Sequence, residues 1–310
     1  DDYKGLVKVN HGIAILKYSS SKYQEALNLI DSNISLYKTK VKDTSGLGIS
    51  LDLKGGIHTS LGNYQIALSE TLKALKMLQR TKDSLRIADV LSHLGNIEFF
   101  LDNFQKAQEY YTEAIPIYQK HNDKFYESQV LNDLGNCLYY VEDYKKAIHF
   151  LERSIELSKE IGAKDIEATS LNNLGKTYAK LGKYNKALEF SNESLTLVEE
   201  IKNPVKIANA LGEIGRIYNA TNRPEVALDY FNRQLAISKS TGVKQNQRIG
   251  YHDRSGTYEL LNDYKNALED YKLFKSISDS IFNTEKSEQI EELRTIYDTE
   301  KKEQQIALQE

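Results

Sequence analysis

An alanine recurs along this chain at a nearly constant interval. Ala26, Ala67, Ala107, Ala147, Ala187, Ala227 and Ala267 are separated by 41 residues once and by 40 residues five times. Three positions before the alanine stands an aromatic residue in six copies, Tyr23, Tyr64, Phe104, Tyr144, Tyr184 and Tyr264, with Pro224 in the remaining one. Twelve positions before it stands a small residue: Ala14, Gly55, Gly95, Gly135, Gly175, Gly215 or Ser255. A period of this length marks repeat architecture, in which a unit too small to bury its own apolar face buries it against neighbours.

The spacing inside each unit is helical. Around the small residue, Leu131, Leu134, Leu138 and Val141 in one copy and Leu171, Leu174, Tyr178 and Leu181 in the next follow i, i+3, i+7, i+10, which is one face of a helix and not a period-two strand. After the alanine, Leu188, Leu195 and Val198 continue such a face. Polar pairs between the two stretches, Asp102-Asn103, Glu142-Asp143, Gly182-Lys183 and Asn262-Asp263, suit a turn that ends one helix and caps the next. Each unit is therefore expected to be a hairpin of two closely packed antiparallel helices. Pro116 falls inside a second helix, where the missing N–H predicts a kink. Pro224 falls at a helix start, where proline is tolerated.

Composition agrees. The 310 residues include three prolines, no tryptophan and 21 tyrosines. Lysine and arginine total 41 against 44 acidic residues, a net charge of −3 with pI near 6.2, so binding to nucleic acid driven by counterion release is not expected. With 40% apolar residues and mean hydropathy −0.55 there is material for a core, and no run of 18 apolar residues that would span a bilayer. A single cysteine, Cys137, excludes an internal disulfide and a cysteine-rich zinc site. A chain opening at Asp1 with neither Met nor an export signal reads as a mature or trimmed part of something longer.

Gly175, Tyr178, Tyr184 and Ala187, with their equivalents in seven copies, resemble the core positions of a tetratricopeptide repeat. The period of 40 exceeds that family's usual 34, and its repeat-end proline is missing; both fit longer helices, with inter-repeat turns at Lys82-Asp83, Asn122-Asp123, Gly162-Ala163-Lys164, Asn203-Pro204 and Gly242-Val243. The resemblance implies an all-α superhelical solenoid over residues 1–283, one domain in place of the two that length alone suggests, with first helices lining its concave side. It also implies peptide or protein ligands on that side.

The exposed stripe of the first helices reads Asp89, Ser92, His93, Asn96, Phe99 and Phe100, then Gln129, Asn132, Asp133, Asn136, Tyr139 and Tyr140. It continues with Thr169, Asn172, Asn173, Lys176 and Lys180, then Asn209, Glu213, Arg216 and Asn219. Asparagine is a poor helix former, so its abundance here is not explained by propensity. Two readings fit. The amides are solvated or bond across adjacent helices, or they grip the N–H and C=O groups of an extended peptide. On the second reading Asn96, Asn132, Asn136, Tyr139, Asn172, Asn173, Lys176, Asn209, Arg216 and Asn219 form the site. Tyr139, Tyr140, Phe99 and Phe100 supply apolar contact, and Lys176 with Arg216 holds a carboxylate.

Signals for catalysis are weak. Gly175-Lys176-Thr177 resembles the end of a phosphate-binding loop, but Ser170 stands where its first glycine belongs and the segment lies inside a helix. The histidines at 11, 58, 93, 121, 149 and 252 show no metal-binding spacing, and His58 takes a core position. Neither an enzyme nor a cofactor is expected.

Residues 284–310 hold 12 charged side chains and neither Gly nor Pro, with Ile290, Leu293, Tyr297 and Ala307 near a three-four spacing. They predict a long charged helix, either solvated or pairing as a homodimeric coiled coil. This ending, from Glu285-Lys286-Ser287 through Tyr297 to Glu300-Lys301-Lys302-Glu303, is similar to the linker of Bacteroidetes tetratricopeptide sensor proteins. The resemblance implies the periplasmic sensor part of an inner-membrane histidine kinase or LuxR-type regulator, whose membrane span and output module lie outside this chain. A soluble cytoplasmic scaffold is the alternative. A phosphatase-like regulator would need an additional N-terminal helical bundle.

Overall fold

The computed structural model describes residues 2–81 and 83–281, and they are all-α. The expected 284–310 helix lies outside them. In chain order the helices are α1 (Tyr3–Ser19), α2 (Tyr23–Leu36), α3 (Thr44–Ser60), α4 (Tyr64–Leu78), α5 (Ser84–Phe100), α6 (Phe104–Lys120) and α7 (Lys124–Tyr140). They continue with α8 (Tyr144–Ile161), α9 (Lys164–Lys180), α10 (Tyr184–Glu200), α11 (Pro204–Ala220), α12 (Pro224–Thr241) and α13 (Lys244–Leu260). The last, α14, covers 264–281. A π-helical turn, Tyr37–Val41, extends α2. Successive helices pack as hairpins, the solenoid arrangement that the 40-residue period predicts. The chain divides into two compact regions between Asn122 and Asp123, the first holding α1–α6 and the second α7–α14.

Local chemistry ends the helices where the polar pairs stand. Asp102, Glu142, Gly182, Asn222 and Asn262 close the turns inside hairpins, and Asn122, Gly162, Lys202 and Gly242 those between them, all with φ between 54° and 72°. These left-handed residues therefore recur every 20 positions. The residue after most of them returns its N–H to a carbonyl five positions back, as Asn103 does to Glu98 at 2.8 Å and Asp143 to Leu138 at 3.0 Å, which satisfies helix-end carbonyls. Asp83, Asp123, Asp143 and Asn203 then cap the next helix by accepting from its third residue. Pro204 and Pro224 each take the first turn of a helix, where no N–H is needed. Helix α6 runs on past Pro116 to Lys120.

The small residues sit where helices of one hairpin approach. A Cβ added at Gly135 would stand 2.6 Å from Leu151 Cγ and 3.3 Å from the Ala147 carbonyl oxygen. At Gly175 it would meet Ser191 Oγ at 2.4 Å and the Ala187 carbonyl oxygen at 3.1 Å. The repeating alanines at 26, 67, 107, 147, 187 and 227 are fully buried, and Ala267 nearly so. Leucines and isoleucines between hairpins complete the core. In the first region Ile30, Ile57, Leu78 and Leu94 cluster with Ala14 and Ala26. In the second, Leu151, Leu171 and Leu174 pack with Ile155 and Ala187, and Leu211 and Ile214 with Val198. Each such side chain contributes about 1.5–3 kcal/mol of apolar burial. Cys137 and His58 are both buried. Burial lowers the His58 pKa to about 4, so this imidazole packs as a neutral group, with Nδ1 3.4 Å from Asn63 Nδ2.

Candidate ligand-binding face

Nine of the ten residues read from the sequence lie on first helices of the second region, α7, α9 and α11. Asn96, on α5, belongs to the first. The helical period places each set on one stripe, and the bonds that the amides make separate two kinds of role.

Most of the asparagines tie helices together. Asn132 is 7% exposed; its Oδ1 accepts from Asn173 Nδ2 at 3.0 Å and Ser170 Oγ at 3.2 Å, joining α7 to α9. Asn246 of α13 donates to Asn209 Oδ1 at 3.0 Å, and Asn219 Nδ2 donates to Thr257 Oγ1 at 2.8 Å, joining α11 to α13. In the first region Tyr111 donates its hydroxyl to Asn96 Oδ1 at 2.7 Å, across one hairpin. Partners 37–41 residues apart are the signature of one stripe position bonding its equivalent in the next repeat.

Four side chains keep capacity that these bonds do not use. Asn136 is half-buried with no hydrogen-bond partner among the described residues. Asn172 and Asn219 each keep a buried Oδ1 without a donor. Lys176 lays its ammonium over the rings of Tyr139 and Tyr140, 4.2 and 4.7 Å from their centroids, a cation–π contact worth about 0.5–2 kcal/mol. It meets no carboxylate among the described residues.

Arg216 differs from expectation. Its Nη2 donates to Glu213 Oε2 and its Nη1 to Asp253 Oδ2, both at 2.7 Å. Burial works against the guanidinium charge, but Glu213 and Asp253 outweigh it and raise the pKa. A cation bracketed by two carboxylates is not available to a ligand's carboxylate, so Lys176 and Arg216 do not act as a pair. The sequence reading missed Asp253. Its signal was there: Asp253 stands 40 residues after Glu213, on the same stripe position.

Asp133 is the other perturbed group. Asn132 Nδ2 donates to its Oδ1 at 3.0 Å, yet burial pushes the carboxyl up to about 6. The phenol of Tyr139 is pushed up as well, by burial and by Glu213.

On the first region's stripe, His93 Nδ1 lies 2.9 Å from Asp52 Oδ1, and the charge of Asp52 lifts the imidazole to about 9 against the effect of burial. Phe100, 52% exposed, stacks on Tyr64 with centroids 5.3 Å apart and meets Phe99 edge-on. The His93–Asp52 pair contributes stability that is fully present below pH 6.5 and lost as pH rises through about 9. Because the His93 side chain is 48% exposed, the effect stays below about 1 kcal/mol. Thermal melts between pH 6 and 10 should show His93→Gln closing on the native chain as pH rises; a gap constant with pH would remove the ion pair from the account.

Residues 46–120 and 126–200 match the family model of the tetratricopeptide repeat. No curated protein sequence matches the chain. Among solved structures it is similar to a signal-transduction ATPase with numerous domains, carrying a tetratricopeptide repeat sensor, from Pyrococcus horikoshii, with TM-score 0.71 and 19% identity over 90% of this chain. The chain spans 44% of the length of that protein. The apo form of RapI matches with TM-score 0.73 and 14% identity, over 89% of this chain and 99% of its own. A Rap protein complexed with competence and sporulation factor matches with TM-score 0.63 and 14% identity, over 90% and 99%. The hairpin that recurs through this molecule is the tetratricopeptide repeat, and the chain belongs with the tetratricopeptide-repeat proteins.

Proposed function

We propose that this chain is a binding and sensing region, not an enzyme, which takes an extended peptide or protein segment along the first-helix face of α7, α9 and α11. One contrast supports the reading. Most amides on this face are used up between helices, while Asn136, the buried Oδ1 of Asn172 and the Lys176 ammonium keep capacity that a peptide backbone and a ligand carboxylate would use. The similar Rap structure that carries competence and sporulation factor lends this support by analogy.

Peptides selected from a random library on the immobilised chain should bind the triple variant Asn136→Ala, Asn172→Ala, Lys176→Ala at least about tenfold more weakly, about 1.4 kcal/mol, with helical circular dichroism unchanged. Equal affinity would move the site elsewhere.

Within the same proposal, the chain is the extracytoplasmic sensor of a membrane-bound two-component or LuxR-type regulator. Ligand binding shifts the molecule between arrangements that the segment after residue 283 reports, which requires the ligand to prefer one of them. The tail's likeness to Bacteroidetes sensor linkers supports this. Among the described residues no helix is long and apolar enough to cross a membrane, so the span would have to lie elsewhere in the gene. A full reading frame without a hydrophobic span beyond Glu310 would replace this assignment with a soluble scaffold.

A further inference from the structure

Helix α7 lines up two charges that meet no opposite charge among the described residues. Asp133, Asn136 and Tyr140 stand at i, i+3 and i+7, on one face of that helix. The Asp133 carboxylate is half-buried, and among the described residues it accepts only from the neutral amide of Asn132, at 3.0 Å. No cation offsets its burial, which is why its pKa is raised. One turn on, Asn136 keeps both halves of its amide unbonded among the described residues. One turn further, Tyr139 and Tyr140 carry the ammonium that Lys176 extends from α9, with Nζ 3.5 Å from the Tyr140 hydroxyl oxygen. Glu213 and Asp253 are bound to Arg216 and leave Lys176 uncompensated.

Helical rise fixes the spacing. At about 1.5 Å per residue, Asn136 lies about 4.5 Å beyond Asp133 along the axis, and the tyrosine pair about 9–10 Å beyond it. An extended peptide advances about 3.3–3.6 Å per residue, so about three residues cover that distance. The order along the helix is anion, amide, cation, which complements an ammonium, a peptide group and a carboxylate in the same order. Resting on the peptide-binding reading above, which already gives Lys176 a ligand carboxylate, we propose that this face selects short free peptides of about three residues, whose N-terminal ammonium sits on Asp133. Asn136 then takes the N–H and C=O of the central residue, and the C-terminal carboxylate reaches Lys176. The charges fix the direction of the bound chain, from the start of α7 toward its end. A basic and an acidic side chain inside a longer peptide offer the same charges only by ordering two long stems. Free termini present them on backbone that is ordered in any case.

The probes are trialanine, N-acetyl-trialanine and trialanine amide, titrated into the full chain at millimolar concentration and followed by NMR at the Asn136 side-chain amide. Trialanine is expected to bind at least about tenfold more tightly than either blocked form, the effect of one lost charge-assisted hydrogen bond. Asp133→Asn is expected to remove the advantage of the free amine and keep that of the free carboxylate. Lys176→Met is expected to do the reverse. Asparagine at 133 still offers an acceptor to Asn132, and methionine at 176 keeps an apolar stem on the tyrosines, so unchanged circular dichroism is expected of both variants. Equal binding of the three probes, or no binding of trialanine, overturns the proposal. An acetylated and amidated Lys-Ala-Glu that binds as well as trialanine also overturns it, by assigning the two charges to side chains. The peptide-binding reading is tested apart from this. Library peptides that lose affinity in the triple variant, yet keep it when both their ends are blocked, overturn the selection of termini and leave that reading standing.

Discussion

Replacing Phe231 with alanine is expected to destabilise the second region by about 3–5 kcal/mol. The ring is fully buried on α12, and a Cβ added at Gly215 of α11 would lie 2.7 Å from its Cε1, so no small neighbour can move in to fill the space. The loss combines the transfer free energy of an aromatic side chain with a cavity that two rigid helices cannot close. Urea unfolding followed by circular dichroism should show it, as an earlier transition for the part of the chain around α11 and α12. Because repeat arrays do not always unfold in one step, hydrogen exchange of α11 amides is the sharper readout. Protection unchanged there would mean that the hairpin relaxes around the hole.

The second large effect lies in the last hairpin. Arg254 stands on α13 at the position that Leu134, Leu174 and Ile214 fill in the preceding repeats. Its Nε and Nη2 donate to the two oxygens of Asp270 at 2.6 and 2.8 Å, and the Asp270 side chain is 6% exposed. Arg254→Met keeps most of the volume and leaves a buried carboxylate without its cation, at a cost of about 3–5 kcal/mol. Adding Asp270→Leu should restore most of the loss, because removing both charges also removes their desolvation. If the double variant is no more stable than Arg254→Met, the ion pair contributes more than its desolvation costs. Denaturant midpoints of the two variants and of the native chain decide the matter.

The fold was legible because a repeat states the same constraint seven times. One glycine twelve residues before one alanine means little, but Gly135 before Ala147, repeated by Gly175 before Ala187 and Gly215 before Ala227, can only be a recurring close approach. The turns were legible for a similar reason, since Asp102-Asn103 and Glu142-Asp143 join a residue at positive φ to the one that opens the next helix, which in the second pair also caps it.

The face was legible only in outline. Helical period puts Asn132, Asn173 and Asn209 on the right stripe, but it cannot say whether an amide there reaches a ligand or the next helix. That choice depends on the distance between neighbouring first helices, which is a tertiary quantity. Arg216 shows the same limit: an arginine on an inner stripe resembles a free anion receptor until the carboxylate three residues before it and the one in the following repeat are seen to hold it from both sides.

The hydrogen bonds carry one more implication. The bonds that join consecutive first helices span about one repeat, as the 42 residues from Tyr18 to Ser60 and the 38 from Asn132 to Ser170 do. Low contact order of this kind favours rapid folding. Within each region, a nascent chain leaving the ribosome could complete a hairpin and seat it on the one made just before as soon as both are synthesised. Assembly of this molecule would then proceed as zippering in the direction of synthesis.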